Sequence, residues 1–358
     1  MKTKLSTLTF FYLSFLCIIF NESRFFSTVF QFTVYCIPIL YGLLLILTEL
    51  NKKQIKFSPI IPFYFISFFY LLSAIIMVIH KDILTLGLGH LFYYILICIC
   101  FIDKEDRNIT EEIISIMKML TIAAIVVSFL SISFIPYVEQ NIEKFSWTDK
   151  NTLTALTVIA KEPSRLVGML GHPNKTGNFC AICIIGSELI LFSQNQKKWK
   201  AVSIVSILLS SLTILLTGSR TAMLMTALFT IIFIILLFCT GLMKEKNTLK
   251  TLLLFIGIML IFCILALVFL VATNKVEFFL NHIIRTDSMQ SGSGRTWIRA
   301  KAFEISKENR LIGVSRKYLT DIIGVDAHNT YYEILATAGV PALILYLCFI
   351  FYSIPKNN

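Results

Sequence analysis

The sequence predicts an all-α polytopic membrane protein of about ten transmembrane helices, with both termini inside and two long extracytoplasmic loops. Three observations carry this expectation. Apolar runs of roughly 20 residues, the length that crosses a bilayer as helix, recur along the chain. Of its 358 residues, 56% are hydrophobic and only 15% charged, too little charge to cover the surface of a soluble domain of this length. The short connections alternate between rich and poor in lysine and arginine, which orients a membrane chain.

Lys2 and Lys4 precede the first run, 5–20, and no small-x-small cleavage site follows it, so it reads as an uncleaved span. Spans 29–47, 59–79, 83–102 and 113–135 complete an N-terminal five-span half over residues 1–135. A first outer loop, 136–178, leads to a four-span segment over 179–273, with spans at 179–192, 201–216, 221–242 and 252–273. A second outer loop, 274–329, carries an amphipathic helix and is followed by the last span, 331–352, within 330–358. With the N-terminus inside, the inner segments hold Lys2, Lys4, Lys52, Lys53, Lys56, Lys104, Arg107, Lys197, Lys198, Lys200, Lys244, Lys246, Lys250 and Lys356. The short outer connections hold only Arg24, Lys81 and Arg220, and this imbalance places both long loops outside.

The net charge of +11 is accounted for by those orienting lysines, and no basic stripe interleaved with aromatics offers a nucleic-acid groove. All nine cysteines fall inside apolar runs. Cys180 and Cys183 have CxxC spacing without the second pair a metal site needs, and the cysteine-free outer loops are not held by disulfides.

The polar residues left unexplained by topology lie on one expected side. The first outer loop ends in KEPSRLVGMLGHPNKTGN, where Gly168, Gly171, Pro173 and Gly177 punctuate a tight turn into the sixth span. Arg220 stands in TGSRTA between two spans, where small or hydroxylic Gly218, Ser219 and Thr221 leave its guanidinium accessible. In the second loop Ser291 or Ser293 caps a helix beginning near Arg295. Its apolar side is Trp297, Ile298, Ala302 and Ile305, for lying on the membrane or on neighbouring spans, while Arg295 and Arg299 share a face. Gly313 and Ser315 end that pattern, and Asp326 or Asn329 starts the last span, with His328 at its outer mouth one turn from Tyr331 and Tyr332. Gly339 and Pro341, deeper, suit a kink or a close helix contact.

Guanidinium forks stay charged and bind two oxygens at once, so Arg165, Arg220, Arg285, Arg295 and Arg299 point to an anionic ligand at headgroup level. His328 is the outer titratable group suited to general-base work, with His172 second; His282, His80 and His90 have no such setting. No HxxxH or DxD suggests a metal, no GxSxG a serine nucleophile, and no P-loop or GxGxxG a nucleotide. By elimination, an activated lipid-linked substrate would have to drive any reaction.

Four patches resemble the O-antigen polymerase and ligase superfamily of bacterial membrane glycosyltransferases. RLVGMLGHPNKTG is similar to the family's R-x-x-G…P-N…G segment, and TGSRTA to its span-end S-R motif. SGRTWIRAKAFEISKENRLIGVS resembles its S-G-R…W…NPLxGxG stretch, and DAHNTYYEILATAGVPALI its H-N-x-(Y/F) ending. Arg310 departs from the usual proline, Ser315 from the second glycine, and a single span follows where members often have more. The resemblance implies metal- and cofactor-free glycosyl transfer from a polyprenyl-pyrophosphate donor at the outer face of the cytoplasmic membrane. On this chain it implies His328 as base and Arg220 as the other catalytic group. Arg165, Arg295, Arg299, His172, Asn174, Asn329 and Tyr332 would be substrate contacts, with Glu333 orienting His328 or capping the helix. A polymerase of O-antigen, capsule or exopolysaccharide is the leading expectation, its partners a lipid-linked donor and acceptor, membrane lipid and a chain-length regulator. A ligase onto another acceptor and a flippase are the alternatives.

Overall fold

The structure, a computed structural model, describes residues 7–22, 28–51, 56–57, 61–81, 88–103, 109–133, 166, 168–170, 172–194, 196–240, 246–272, 295–324 and 329–353. These form, in chain order, α1 (Thr7–Glu22), α2 (Thr28–Asn51), β1 (Lys56–Phe57), α3 (Ile61–Ile79), α4 (Leu88–Phe101), β2 (Ile102–Asp103) and α5 (Ile109–Ser133). There follow α6 (Pro173–Ser193), α7 (Lys197–Thr217), α8 (Arg220–Cys239), α9 (Lys246–Ala272), α10 (Arg295–Glu308), α11 (Arg316–Ile323) and α12 (Thr330–Ser353). Among the described residues seven helices are long and apolar enough to cross a membrane, and the apolar cores of α1, α2 and α4 are shorter. Each expected span thus meets a helix, and the fold is that of an all-α polytopic membrane protein. α6 starts at Pro173 and α9 at Lys246, six residues ahead of the apolar runs, because polar first turns continue both helices. The two-residue β1–β2 pairing is antiparallel, Lys56 opposite Asp103.

The chain divides into two compact units, Met1–Asn21, Phe26–Arg107 and Asp287–Asn358 in one, Glu22–Phe25 and Asn108–Thr286 in the other. In the first unit α2 packs on α4, α4 on α3, α3 on α12, and α12 on α10. Phe10, Leu45, Phe92, Ile95 and Ile99 form one fully buried cluster. Gly42 permits it, since a Cβ there would lie 2.6 Å from Ile95 Cγ2 and 2.8 Å from Phe10 Cε2. Aromatic contacts register α3 against α12, Phe65 stacking on Tyr352 and Phe69 meeting Tyr346, both at 5.4 Å between centroids. Rising numbers on α3 meet falling numbers on α12, so the two helices run antiparallel.

α12 is broken at Gly339, whose φ of 79° and ψ of −178° are not helical, and Pro341 removes a further backbone donor. The turn between α10 and α11 repairs the break. The Val340 N–H donates to Arg310 O (2.8 Å) and the Val314 N–H donates to Ala336 O (2.8 Å). The helical bond that would join Val340 to Ala336 is exchanged for two bonds to the turn. Such repair is obligatory in lipid, where an unpaired backbone group has no water to turn to. The approach needs glycine on both sides: a Cβ on Gly313 would sit 2.6 Å from Ala336 O, and one on Gly339 2.6 Å from the Leu311 carbonyl carbon.

The departures at Arg310 and Ser315 fit this arrangement. Residue 310 contributes its carbonyl, which any residue carries, and the Ser315 hydroxyl caps α11 by accepting from the Tyr318 N–H (2.9 Å). Ile298, Ala302 and Ile305 of α10 are buried with Val314, Leu319, Ile323 and Ala336. Of the two surroundings expected for the apolar side of α10, membrane or neighbouring spans, the buried residues meet the second, while Trp297 does not join them, standing 58% exposed.

In the second unit α6 is the central helix, in contact with α5, α7, α8 and α9. α7 turns a stripe of small hydroxyls inward, with Ser203, Ser206, Ser210, Thr213 and Thr217 fully buried at three- and four-residue spacing. Small residues let helix backbones approach closely in lipid, and their hydroxyls find partners across the interface. Ser187 of α6 lies 2.8 Å from Ser206 Oγ and donates to Thr121 Oγ1 of α5 (3.3 Å). Glu188, which belongs to no motif, is the next residue of α6. It is 2% exposed and accepts from the Thr230 hydroxyl of α8 at 2.6 Å. A carboxyl this deep ties two spans together.

Candidate functional site

The polar residues singled out by sequence fall into one group in each unit. In the second unit the C-terminal end of α5, the start of α6, the end of α7 and the start of α8 share a corner. Gly218, at φ 57° and ψ 30°, ends α7 in the left-handed conformation that favours glycine. Ser219 caps α8, its hydroxyl accepting from the Ala222 N–H, while the Ser219 N–H reaches back to Thr217 Oγ1 (3.3 Å). Two residues therefore reverse the chain, and Arg220 becomes the first residue of α8, exposed as the sequence requires for an anion ligand.

The neighbouring α6 begins in the same corner. Pro173 takes the first helical position and His172 the cap, its Nδ1 accepting from the Asn174 N–H at 3.0 Å. An accepting Nδ1 leaves the proton of a neutral ring on Nε2. Gly177 was expected to punctuate the turn; it lies instead in the second turn of α6, where a Cβ would come within 2.8 Å of Ser219 Cβ and 3.2 Å of Ala222 Cβ. Its missing side chain lets the first turns of α6 and α8 touch, putting two helix N-termini side by side.

Gly168, at φ 70°, lies so close that a Cβ would be 2.6 Å from Thr176 Cγ2, and the Met169 N–H donates to Ser131 Oγ of α5 (2.9 Å). The Leu166 N–H donates to Leu216 O at the end of α7 (3.0 Å). The strand of chain that carries the R-x-x-G pattern is thus tied to the same corner as Arg220. Arg165 itself, one residue earlier, lies outside the described residues, as does Gly171.

In the first unit the second group surrounds the start of α12. Of the two expected starts, Asn329 is the cap: its Oδ1 accepts from the N–H groups of Tyr331 (3.0 Å) and Tyr332 (3.2 Å). Its side-chain oxygen is thereby occupied, and only its amide nitrogen is left to meet a substrate. Tyr332 meets Phe303 of α10 edge-on at 6.3 Å, and Phe303 lies one turn from Arg299 on the same helix. Arg299 is partly buried, and its Nε, closed off from solvent, has no hydrogen-bond partner among the described residues. A buried guanidinium donor left without an acceptor is a group that a ligand oxygen would satisfy.

Arg316 Nε lies 3.6 Å from Glu333 Oε1, joining the first turns of α11 and α12, a partner for Glu333 that sequence spacing did not reveal. On the outer face of α10 the Lys301–Glu304 pair, 2.8 Å apart, holds the Glu304 carboxyl below its ordinary range, chiefly through that hydrogen bond. Arg295 opens α10 as expected. His328, the residue before the Asn329 cap, lies outside the described residues, as do Ser291, Ser293, Arg285, His282 and Asp326. His80 and His90 make packing contacts, His80 with Ile312 O (3.4 Å) and His90 with the Tyr70 ring (5.9 Å). Among the described residues no three His, Cys, Asp or Glu side chains gather.

Each group thus gathers cationic or donor side chains around helix N-termini, an arrangement that receives anions. No curated protein and no solved structure matches the chain. Residues 205–347, from within α7 through most of α12, match the family described as O-antigen ligase. That segment contains the Ser219–Arg220 turn, the repaired break of α12 and the Asn329 cap, and the match supports the resemblance to the O-antigen polymerase and ligase superfamily.

Proposed function

We propose that the protein is a polysaccharide polymerase that joins lipid-linked repeat units at the outer face of a bacterial cytoplasmic membrane. The observation that carries this reading is Arg220, exposed as the first residue of α8 where the first turns of α6 and α8 meet. In the proposed reaction an acceptor sugar hydroxyl attacks the anomeric carbon of the donor. The bond from that carbon to polyprenyl pyrophosphate breaks, its electron pair leaves with the pyrophosphate, and the acceptor's proton passes to His328. Charge grows on the leaving group as the bond breaks. Arg220, with His172 beside it, and the helix N-termini are suited to stabilise it at that moment. Arg165, Arg295, Arg299, Asn174, Asn329 and Tyr332 are the further expected substrate contacts, Arg299 offering its unpaired Nε–H. The lysine distribution supports the outer-face assignment, and a chain-length regulator is the expected protein partner.

Ligation of a finished glycan to another acceptor is the second reading, favoured by the description of the matching family. It uses the same donor and the same residues. Two variants in the native host test the proposal. Arg220→Ala and His328→Ala should each abolish long glycan while single lipid-linked repeats remain. Full-length glycan in the His328→Ala strain would remove that residue as base, and long chains accumulating on lipid would identify a ligase.

A further inference from the structure

The turn that repairs α12 also carries two large aliphatic side chains outward. Leu311 is 73% exposed and Ile312 45%, whereas Ile298, Ala302, Ile305, Val314 and Leu319 are buried; Trp297, Phe303, Tyr318 and Ile322 of the flanking helices are also exposed. Their depth along the unit is set by two independent contacts. Gly339, against which the Leu311 carbonyl packs, lies nine residues inside α12, about 13 Å along its axis from Thr330. Ile312 O lies 3.4 Å from His80 Nε2, and His80 directly follows the apolar span Pro62–Ile79. That span stops there, with Lys81 at φ 61° ending the helical path. Leu311 and Ile312 therefore stand at the rim of the apolar surface of α3, which is lined at this end by exposed Ile75, Val78 and Ile79.

We infer that Leu311 and Ile312 form a wedge inserted at the boundary between headgroups and acyl chains, anchoring α10 and α11 to the bilayer surface. The occupant is lipid because the two side chains continue an apolar surface that faces acyl chains in any membrane-spanning helix. Exposed Arg310, next to the wedge, is a guanidinium at phosphate level, and its Nε–H donates to Lys307 O (3.2 Å), which steadies the arm. The backbone bonds at Val314 and Val340 hold the wedge to a helix that is itself fixed in the membrane, so its depth is built into the fold. The inference rests on the membrane-spanning fold and is independent of the reaction proposed above.

The test is a fluorescence measurement on the full-length chain in phosphatidylethanolamine–phosphatidylglycerol vesicles. Leu311→Cys and Ile312→Cys, each made in a chain freed of its nine native cysteines, would carry a nitrobenzoxadiazole dye. Val78→Cys serves as the lipid-facing reference and Glu304→Cys as the aqueous one. Doxyl-labelled lipid should dim positions 311 and 312 as strongly as position 78, and aqueous iodide should leave them bright. Quenching by iodide as at position 304 would overturn the inference. So would shielding from both quenchers that disappears on dilution with lipid, which would identify a second copy as the occupant. On the unsubstituted chain, a phospholipid carrying a diazirine near its headgroup gives a second reading. Adducts on Leu311 or Ile312 support the wedge; adducts on α3 and α12 with none on 309–315 refute it.

Discussion

Replacing Gly339 with alanine tests whether the last span depends on the turn beside it. The native backbone at φ 79° and ψ −178° is open to glycine almost alone, and an alanine held there costs about 1–3 kcal/mol. Its Cβ would lie 2.6 Å from the Leu311 carbonyl carbon and 2.9 Å from Arg310 O, both rigid backbone atoms. Relief requires the turn to withdraw. Withdrawal breaks the bonds from Val340 to Arg310 and from Val314 to Ala336, a further loss of about 1 kcal/mol each. The expected destabilisation is therefore about 3–5 kcal/mol.

Gly324→Ala is the control, because Gly324 has a similar φ of 78° but no atom of the described residues within 4 Å of the added Cβ. It should cost only about 1–2 kcal/mol. Thermal unfolding in detergent, with amide hydrogen exchange read at Val314 and Val340, separates the two. Gly339→Ala should strip protection from both amides, whereas Gly324→Ala should leave it intact. Equal losses in the two variants, with Val314 and Val340 still protected, would show that the close approach contributes nothing.

Gly177→Val should push the first turns of α6 and α8 apart and destabilise the second unit by about 1–3 kcal/mol, measurable as a lowered unfolding temperature in detergent. Ser187→Ala should cost only about 0.6 kcal/mol, because hydroxyl pairs between membrane helices average that much; a loss several times larger would mean that the Thr121–Ser187–Ser206 cluster acts as a unit. Polymer synthesis in membranes treated with chelator should proceed undiminished, and loss of activity restored by a divalent cation would contradict the metal-free mechanism proposed here.

The helices were legible because apolar run length and flanking polar residues are local properties of the chain. Arg220 at the head of α8 and the start of α10 at Arg295 followed from the same kind of signal. So did Asn329, because a cap acts on N–H groups only two and three residues away. The roles of Gly177 and Gly339 were not fully legible, since each depends on what another segment brings within 3 Å. The α10 periodicity allowed Ile298, Ala302 and Ile305 to face membrane or protein, and only the fold of 309–323 over them decides which. The serines of α7 carried a readable 3.6-residue period. That period shows one polar stripe on the helix, but not which neighbouring helices it meets. Glu188 gave the same kind of notice, a lone carboxyl within a membrane span, and its partner Thr230 comes from a different helix.

The exchange of bonds at Gly339 also bears on how the protein is made. A helix entering lipid by itself would carry a bare Ala336 carbonyl and a bare Val340 N–H into the hydrocarbon. The groups that cover them, Val314 N–H and Arg310 O, lie earlier in the chain and are synthesised first. The 309–315 turn must already be in place when α12 arrives, and docking then completes insertion. Biogenesis of the last span is in this sense a templated step, with the preceding loop acting as an intramolecular chaperone for the helix that follows it.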